Sequence, residues 1–125
     1  MEATYIRVKN ILELLEIFTD LKYQKRVWVE GKGPEMNTFD ETMCMLYEDM
    51  YFKEFVHEEM ADAGFSFGLK TKMEALDALL PGLWDEDMLD ADLLKDPRWQ
   101  MVLKISKEIV PIFEFEIGKL DLPEK

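Results

Sequence analysis

The segment from Pro34 to Met60 constrains the fold of this chain most, because it combines a helical apolar stripe with a high density of acidic residues. Its apolar residues recur at mostly three- and four-residue spacings, which place them on one face of a helix. They are Phe39, Met43, Leu46, Met50, Phe55, Val56 and Met60. Nine acidic residues lie between Glu35 and Asp62, with one lysine among them, and the whole chain has a net charge of −12. The pattern predicts an amphipathic helix over residues 38–60 with an acidic outer surface.

The same periodicity predicts three further helices, over residues 5–19, 71–80 and 97–110. Thr71 fits the start of the second of these, and Pro81 is expected to end it. Asp96 followed by Pro97 is typical of the first residues of a helix. A chain of 125 residues suits one hydrophobic core. We therefore expect a single domain over residues 1–125, mainly α, built as a bundle of four to five helices.

Two segments leave strand formation open. Residues 20–33 are interpreted as a partly extended connection, and within it Arg26–Val29 favours a strand because three of its four residues are β-branched or aromatic. Ile112–Ile117 alternates apolar and acidic residues after Pro111, which is expected to end or kink the last helix. Residues 112–117 are thus strand or helix. At most one short two-stranded β element is predicted, since each segment is the evident partner of the other.

Local signals define the ends of the acidic helix. Thr38 and Glu41 fit a capping box at its start. The apolar stripe changes phase near Met50–Phe52, where the helix is expected to pause. Gly64 is a natural left-handed residue at its end. The two phenylalanines that follow are expected to anchor the core: Phe65 and Phe67.

Catalytic and metal-binding signatures are missing from the sequence. Glu54 and His57 have the Glu-x-x-His spacing of helical carboxylate iron sites, but those sites need the motif twice and His57 is the only histidine. The acidic run at residues 85–96 lacks the glycine and the final glutamate of an EF-hand loop. Cys44, the only cysteine, is expected to be a small buried hydrophobe. We therefore predict no metal, no cofactor and no enzymatic activity.

The charge of the chain indicates its class of partner. A net charge of −12 disfavours nucleic acids and anionic membranes. It favours a basic protein, although solubility alone is the alternative explanation. The residues predicted to bind a protein partner are Glu48, Asp49, Glu54, Trp84, Asp87 and Asp90, with Trp84 as an aromatic anchor. The sequence shows neither a signal peptide nor an apolar run long enough to span a membrane, and it predicts a cytoplasmic protein.

Three short stretches carry a family resemblance. QKRVWVEGKGPE from Gln24 to Glu35, TFDE from Thr38 to Glu41, and DPRWQ from Asp96 to Gln100 resemble small bacterial immunity proteins that are encoded beside polymorphic or contact-dependent toxins. The resemblance spans about residues 24–110. It implies a cytoplasmic protein that binds a cognate toxin domain, such as a basic nuclease, and neutralises it. It assigns no site residue.

A housekeeping or regulatory helical domain that self-associates without catalysis is the alternative function. The sequence leaves homo-oligomerisation open under both hypotheses.

Overall fold

The computed structural model describes residues 2–124, which form seven helices and contain no β-strand. The helices are α1 (Tyr5–Ile17), α2 (21–29), α3 (39–49), α4 (52–63), α5 (Phe67–Asp85), α6 (Asp90–Leu93) and α7 (Pro97–Ile117). Three of them contain a π-helical segment: Gln24–Val29 in α2, Met45–Asp49 in α3 and Phe55–Glu59 in α4. The prediction of a mainly α protein is confirmed. The predictions of four to five helices and of a short β element are wrong.

Residues 20–33 are interpreted from the sequence as a partly extended connection with a possible strand at Arg26–Val29, but residues 21–29 are helical and Arg26–Val29 belongs to the π-helical part of α2. Asp20 begins this helix by accepting a hydrogen bond from the Tyr23 amide at 3.0 Å. The helical path then buries both Val27 and Trp28. Burial of these two side chains outweighs a strand preference that is weak and dependent on context.

Pro81 lies within a continuous helix, contrary to prediction, and so does Pro111, after which the sequence leaves both strand and helix open. α5 runs through Pro81 and α7 through Pro111, so Ile112–Ile117 is helical. Buried residues lie on both sides of each proline: Leu80 and Leu83 in α5, Ile109 and Phe113 in α7. A proline inside a helix costs about 3 kcal/mol. Only residues beyond the proline offset that cost: burying one apolar side chain contributes about 1.5–3 kcal/mol, and such residues are Leu83 in α5 and Phe113 and Ile117 in α7.

The acidic segment forms two helices because the chain breaks at Tyr51, where φ is 52°. Arg7 of α1 holds this break: its Nε donates to the Met50 carbonyl at 2.8 Å and its Nη2 to the Tyr51 carbonyl at 3.2 Å. Arg7 also pairs with Glu59 of α4, and the two side chains are only 10% and 6% exposed. The expected pause is therefore confirmed, and a buried ion pair fixes α1 against it.

Two predicted helix ends are confirmed, but one adjacent core prediction is wrong. Thr38 accepts a hydrogen bond from the Glu41 amide at 3.2 Å. Gly64 has a φ of 100° and ends α4. Phe65 is buried as expected, whereas Phe67 is 83% exposed as the first residue of α5.

α5 begins four residues earlier than predicted, at Phe67 instead of Thr71, and Ser66 is its N-terminal cap. The Ser66 hydroxyl accepts a hydrogen bond from an amide of the first turn at 3.2 Å and donates to Glu116 at 2.6 Å. Further along the same pair of helices, Lys72 contacts Glu108 at 2.9 Å. These contacts show that α5 and α7 pack antiparallel.

Four aromatic rings form the centre of the core near α2. Phe18, Trp28, Phe39 and Trp99 lie with ring centroids 5.3 to 6.5 Å apart. Gln24 is fully buried beside them: its Oε1 accepts from the Trp99 indole at 2.9 Å, and its Nε2 donates to the last carbonyl of α1 at 2.8 Å. The buried amide is therefore satisfied, and it ties α1, α2 and α7 together.

Candidate functional site

An open groove lies where the start of α3 faces the connection between α5 and α6. Its volume is about 600 Å³. Its lining includes Val29, Asp40, Trp84, Asp87, Leu89 and Asp90. Leu89 is 75% exposed and Val29 42% exposed. The groove therefore combines accessible apolar surface with three carboxylates.

Trp84 is held in the groove by the last turns of α5. The continuation of this helix beyond Pro81 brings the half-buried indole to the start of α3. There its Nε1 donates to Asp40 Oδ1 at 2.7 Å. The Tyr47 ring lies beside it, with centroids 6.2 Å apart. The hydrogen bond and the neighbouring ring hold the indole in place. Contact with another molecule would therefore cost little side-chain entropy at Trp84.

Asp90 lies at the start of α6 and is half-buried. Its Oδ2 accepts a hydrogen bond from the Phe39 amide at 3.3 Å. Burial raises the pKa of Asp90; the Phe39 amide opposes this shift, and the nearby Asp40 charge adds to it. The ionised form is thus poorly hydrated and lies near a like charge, so a cation in the groove would stabilise it.

Asp87 lies at the rim of the groove in a left-handed conformation, with a φ of 50°. Its side chain is exposed. Within residues 2–124, no lysine or arginine forms an ion pair with Asp40, Asp87 or Asp90. The negative charge of the groove is therefore not neutralised within the described part of the fold.

The groove brings together half of the predicted site. Three of the six predicted residues line it: Trp84, Asp87 and Asp90. The other three lie on α3 and α4, outside it: Glu48, Asp49 and Glu54. Glu48 and Asp49 are exposed, and Glu54 is half-buried. Asp40 was not predicted as a site residue, because the only local signal it carries is that of an acid in the first turn of a helix.

A second polar cluster lies on the other side of Tyr47. The buried Asp77 accepts a hydrogen bond from the Tyr47 hydroxyl at 2.6 Å and contacts His57 Nε2 at 2.8 Å. Burial, followed by the Asp77 hydrogen bond, raises the pKa of Tyr47. Glu74 lies 3.8 Å from His57 Nδ1. The cluster ties α3 and α4 to α5, and it accounts for the one histidine of the chain.

Residues 2–124 contain no group of three or more His, Cys, Asp or Glu side chains that could hold a metal ion. None of the helices in this range is long and apolar enough to cross a membrane. Cys44 is only partly buried, and burial together with the nearby Glu48 charge raises the pKa of its thiol.

Comparison with known proteins gives a family but no activity. Neither the search of curated proteins nor the search of solved structures found a match. One family model, described as "Domain of unknown function (DUF7945)", matches residues 4–115. This range contains the whole groove and every helix except the end of α7. The chain belongs to the family described as Domain of unknown function (DUF7945).

Proposed function

We propose that this protein is an acidic binding module that receives a basic protein partner in the groove beside Trp84, without catalysis. One observation carries the proposal: Trp84 and the exposed Leu89 lie among carboxylates that have no cationic partner within residues 2–124. In the more specific form of the proposal, the partner is a basic toxin domain that the protein neutralises.

The two properties of the groove fit two separate requirements of binding. Tryptophan in a partly desolvated pocket is enriched among the residues that dominate interface energies. Unpaired negative charge steers a basic partner into encounter and disfavours acidic ones. The charge of −12 on the whole chain acts in the same direction over longer distances. The groove thus supplies an aromatic anchor, and the surrounding negative charge supplies selectivity for positively charged partners.

The experiment is an affinity purification from the native host with the tagged chain, followed by binding kinetics with the captured protein. Asp87→Lys should slow association and flatten its dependence on salt, because charges at the rim of an interface act mainly on the association rate. Trp84→Ala should speed dissociation, because an anchor acts mainly on the lifetime of the complex.

The matched control carries the same charge reversal outside the groove. Glu48→Lys and Asp49→Lys change exposed acids that do not line the groove. A circular dichroism melt of every variant checks that the fold is retained. An association rate that responds equally to the control and to Asp87→Lys would refute the role of the groove and leave only general charge attraction.

Self-association is the second candidate, and exposed apolar surface favours it. Phe67 at the start of α5 is 83% exposed and Phe115 near the end of α7 is 66% exposed. Repulsion between two copies, each with a charge of −12, opposes it. Analytical ultracentrifugation at low and high salt tests this candidate. A dimer that is lost in the Phe67→Ser, Phe115→Ser double variant would support it, and a monomer under both conditions would refute it.

A further inference from the structure

Each carboxylate of the groove keeps at least one oxygen atom without a donor within residues 2–124. Asp40 uses Oδ1 for the Trp84 indole, which leaves Oδ2. Asp90 uses Oδ2 for the Phe39 amide, which leaves Oδ1. Asp87 receives no side-chain hydrogen bond from any described residue. The groove therefore offers several acceptors that await donors from another molecule.

The acceptors lie beside an aromatic surface. The indole of Trp84 lines the groove together with Met88 and Leu89. Indole is the side chain whose face attracts cations most strongly, and the attraction increases where water is displaced. A ligand that fits both features has a positive charge, several donors and a flat group that can lie against an aromatic ring.

From this geometry we infer that the groove binds an arginine side chain of the partner, stacked on Trp84 and hydrogen-bonded to Asp87 and Asp90. The inference rests on the proposed function and names the chemical group that the groove recognises. A guanidinium group is planar, carries five donors and is weakly hydrated, whereas the lysine ammonium is compact and strongly hydrated. Arginine also donates two parallel hydrogen bonds to one carboxylate, which lysine cannot do. An apolar residue next to the arginine would cover Leu89.

The environment of Asp90 supports a cationic occupant. Burial and the Asp40 charge raise the pKa of Asp90. A guanidinium beside it would lower that pKa again, since an opposite charge favours the ionised form. At a pH where the free Asp90 is partly protonated, binding should therefore release a proton, and affinity should weaken as the pH falls through the titration range of Asp90.

Three short peptides test the inference, identical except at one position, which is arginine, citrulline or lysine, followed by leucine. Citrulline has nearly the shape of arginine but no charge. Proton–nitrogen NMR spectra follow the indole N–H of Trp84, assigned from its loss in Trp84→Phe. The arginine peptide should shift this resonance saturably. Binding of the citrulline peptide should be weaker by about tenfold or more, a factor that corresponds to 1.4 kcal/mol. The lysine peptide should also bind several-fold more weakly than the arginine peptide.

A matched pair of variants locates the effect. Asp87→Asn removes one charge at the rim, and asparagine tolerates a positive φ. Asp92→Asn removes one charge from an exposed position on α6 that does not line the groove. Asp87→Asn should lower the affinity for the arginine peptide several-fold, whereas Asp92→Asn should leave that affinity nearly unchanged. The indole of Trp99 donates to the buried Gln24 in the core, away from the groove lining, and serves as an internal control.

Failure of the inference and failure of the proposed function give different results. Equal binding of arginine and citrulline, equal binding of arginine and lysine, or no saturable shift would each overturn the inference. If the captured partner still associates more slowly with Asp87→Lys, the proposed function stands and the partner uses another group. If the partner is insensitive to both Asp87→Lys and Trp84→Ala, the proposed function itself is wrong.

Discussion

Removing Arg7 should destabilise the protein far more than removing an exposed arginine, although both form ion pairs. Arg7→Met leaves the Met50 and Tyr51 carbonyls without their donor, but the exposed Tyr51 can be rehydrated. Glu59 cannot, because its side chain is only 6% exposed. The dominant cost is therefore the stranded Glu59 charge. Removing one partner of a buried ion pair typically costs about 3–5 kcal/mol, a large part of the 5–15 kcal/mol that roughly spans the stability of small domains.

Urea denaturation followed by far-ultraviolet circular dichroism measures this loss. An unchanged m-value, the slope of the unfolding free energy against urea concentration, checks that unfolding remains two-state. Arg98→Met is the matched control. Its side chain is 44% exposed and pairs with Glu86 at the surface and with Asp96, the N-terminal cap of α7, so the midpoint should move much less than in Arg7→Met.

A double variant separates the stranded charge from lost packing. Adding Glu59→Met to Arg7→Met removes the unpaired carboxylate, and the double variant should lose about 1–3 kcal/mol less than the sum of the two single changes. If Arg7→Met costs less than about 1 kcal/mol, or if the two losses simply add, the buried pair does not hold the break between α3 and α4.

Three further predictions concern single sites. Gly33→Ala should lower the free energy of unfolding by about 1–2 kcal/mol in urea titrations, because φ is 100° and the new Cβ would overlap the Arg26 guanidinium. An unchanged free energy of unfolding would contradict this prediction. Ser106→Ala should raise the free energy of unfolding by about 1 kcal/mol, since this buried hydroxyl has no hydrogen-bond partner among residues 2–124. A loss of stability would show that the hydroxyl does have a partner. Because burial raises the pKa of Asp90, the folded state holds this proton more tightly than the unfolded chain, and stability falls as pH rises through its titration. Asp90→Asn should therefore melt higher than the wild type at neutral pH, with an advantage that disappears in acid, while it binds the arginine peptide less well; the same advantage in acid would refute the assignment.

The sequence predicts the helical class and several helix ends because those signals are local. Thr38, Gly64 and the Asp96–Pro97 pair each act within one turn of their helix. The errors arise where tertiary burial decides. Pro81 breaks a helix by local rules, yet α5 continues because the residues beyond it reach the core. Arg26–Val29 favours a strand locally, yet its π-helical path buries two large side chains.

The groove was half predictable for the same reason. Trp84, Asp87 and Asp90 lie close together in sequence, so an aromatic residue beside an acidic run identifies them. Asp40 joins them from 44 residues away through the Trp84 indole, and no local pattern indicates that contact. Asp40, Glu48 and Asp49 all lie on α3, but only Asp40 lines the groove. Which of these acids faces the groove depends on the path of the helix, and composition does not determine that path.

The π-helical segments of α2, α3 and α4 have a consequence for length variation in this protein. A π turn accommodates one residue more than an α turn, usually as a local bulge in an otherwise regular helix. Deleting one residue from Met45–Asp49 would let α3 close as an ordinary α-helix, whereas the same deletion in an α-helical segment rotates everything beyond it by about 100°. Residues 39–44, which precede the π segment, would keep their facing under such a deletion, and the change would be confined to the segment that carries Tyr47, the residue in contact with Trp84 and Asp77. The extra residue in α3 thus lies in the part of the helix that places Tyr47 between Trp84 and Asp77.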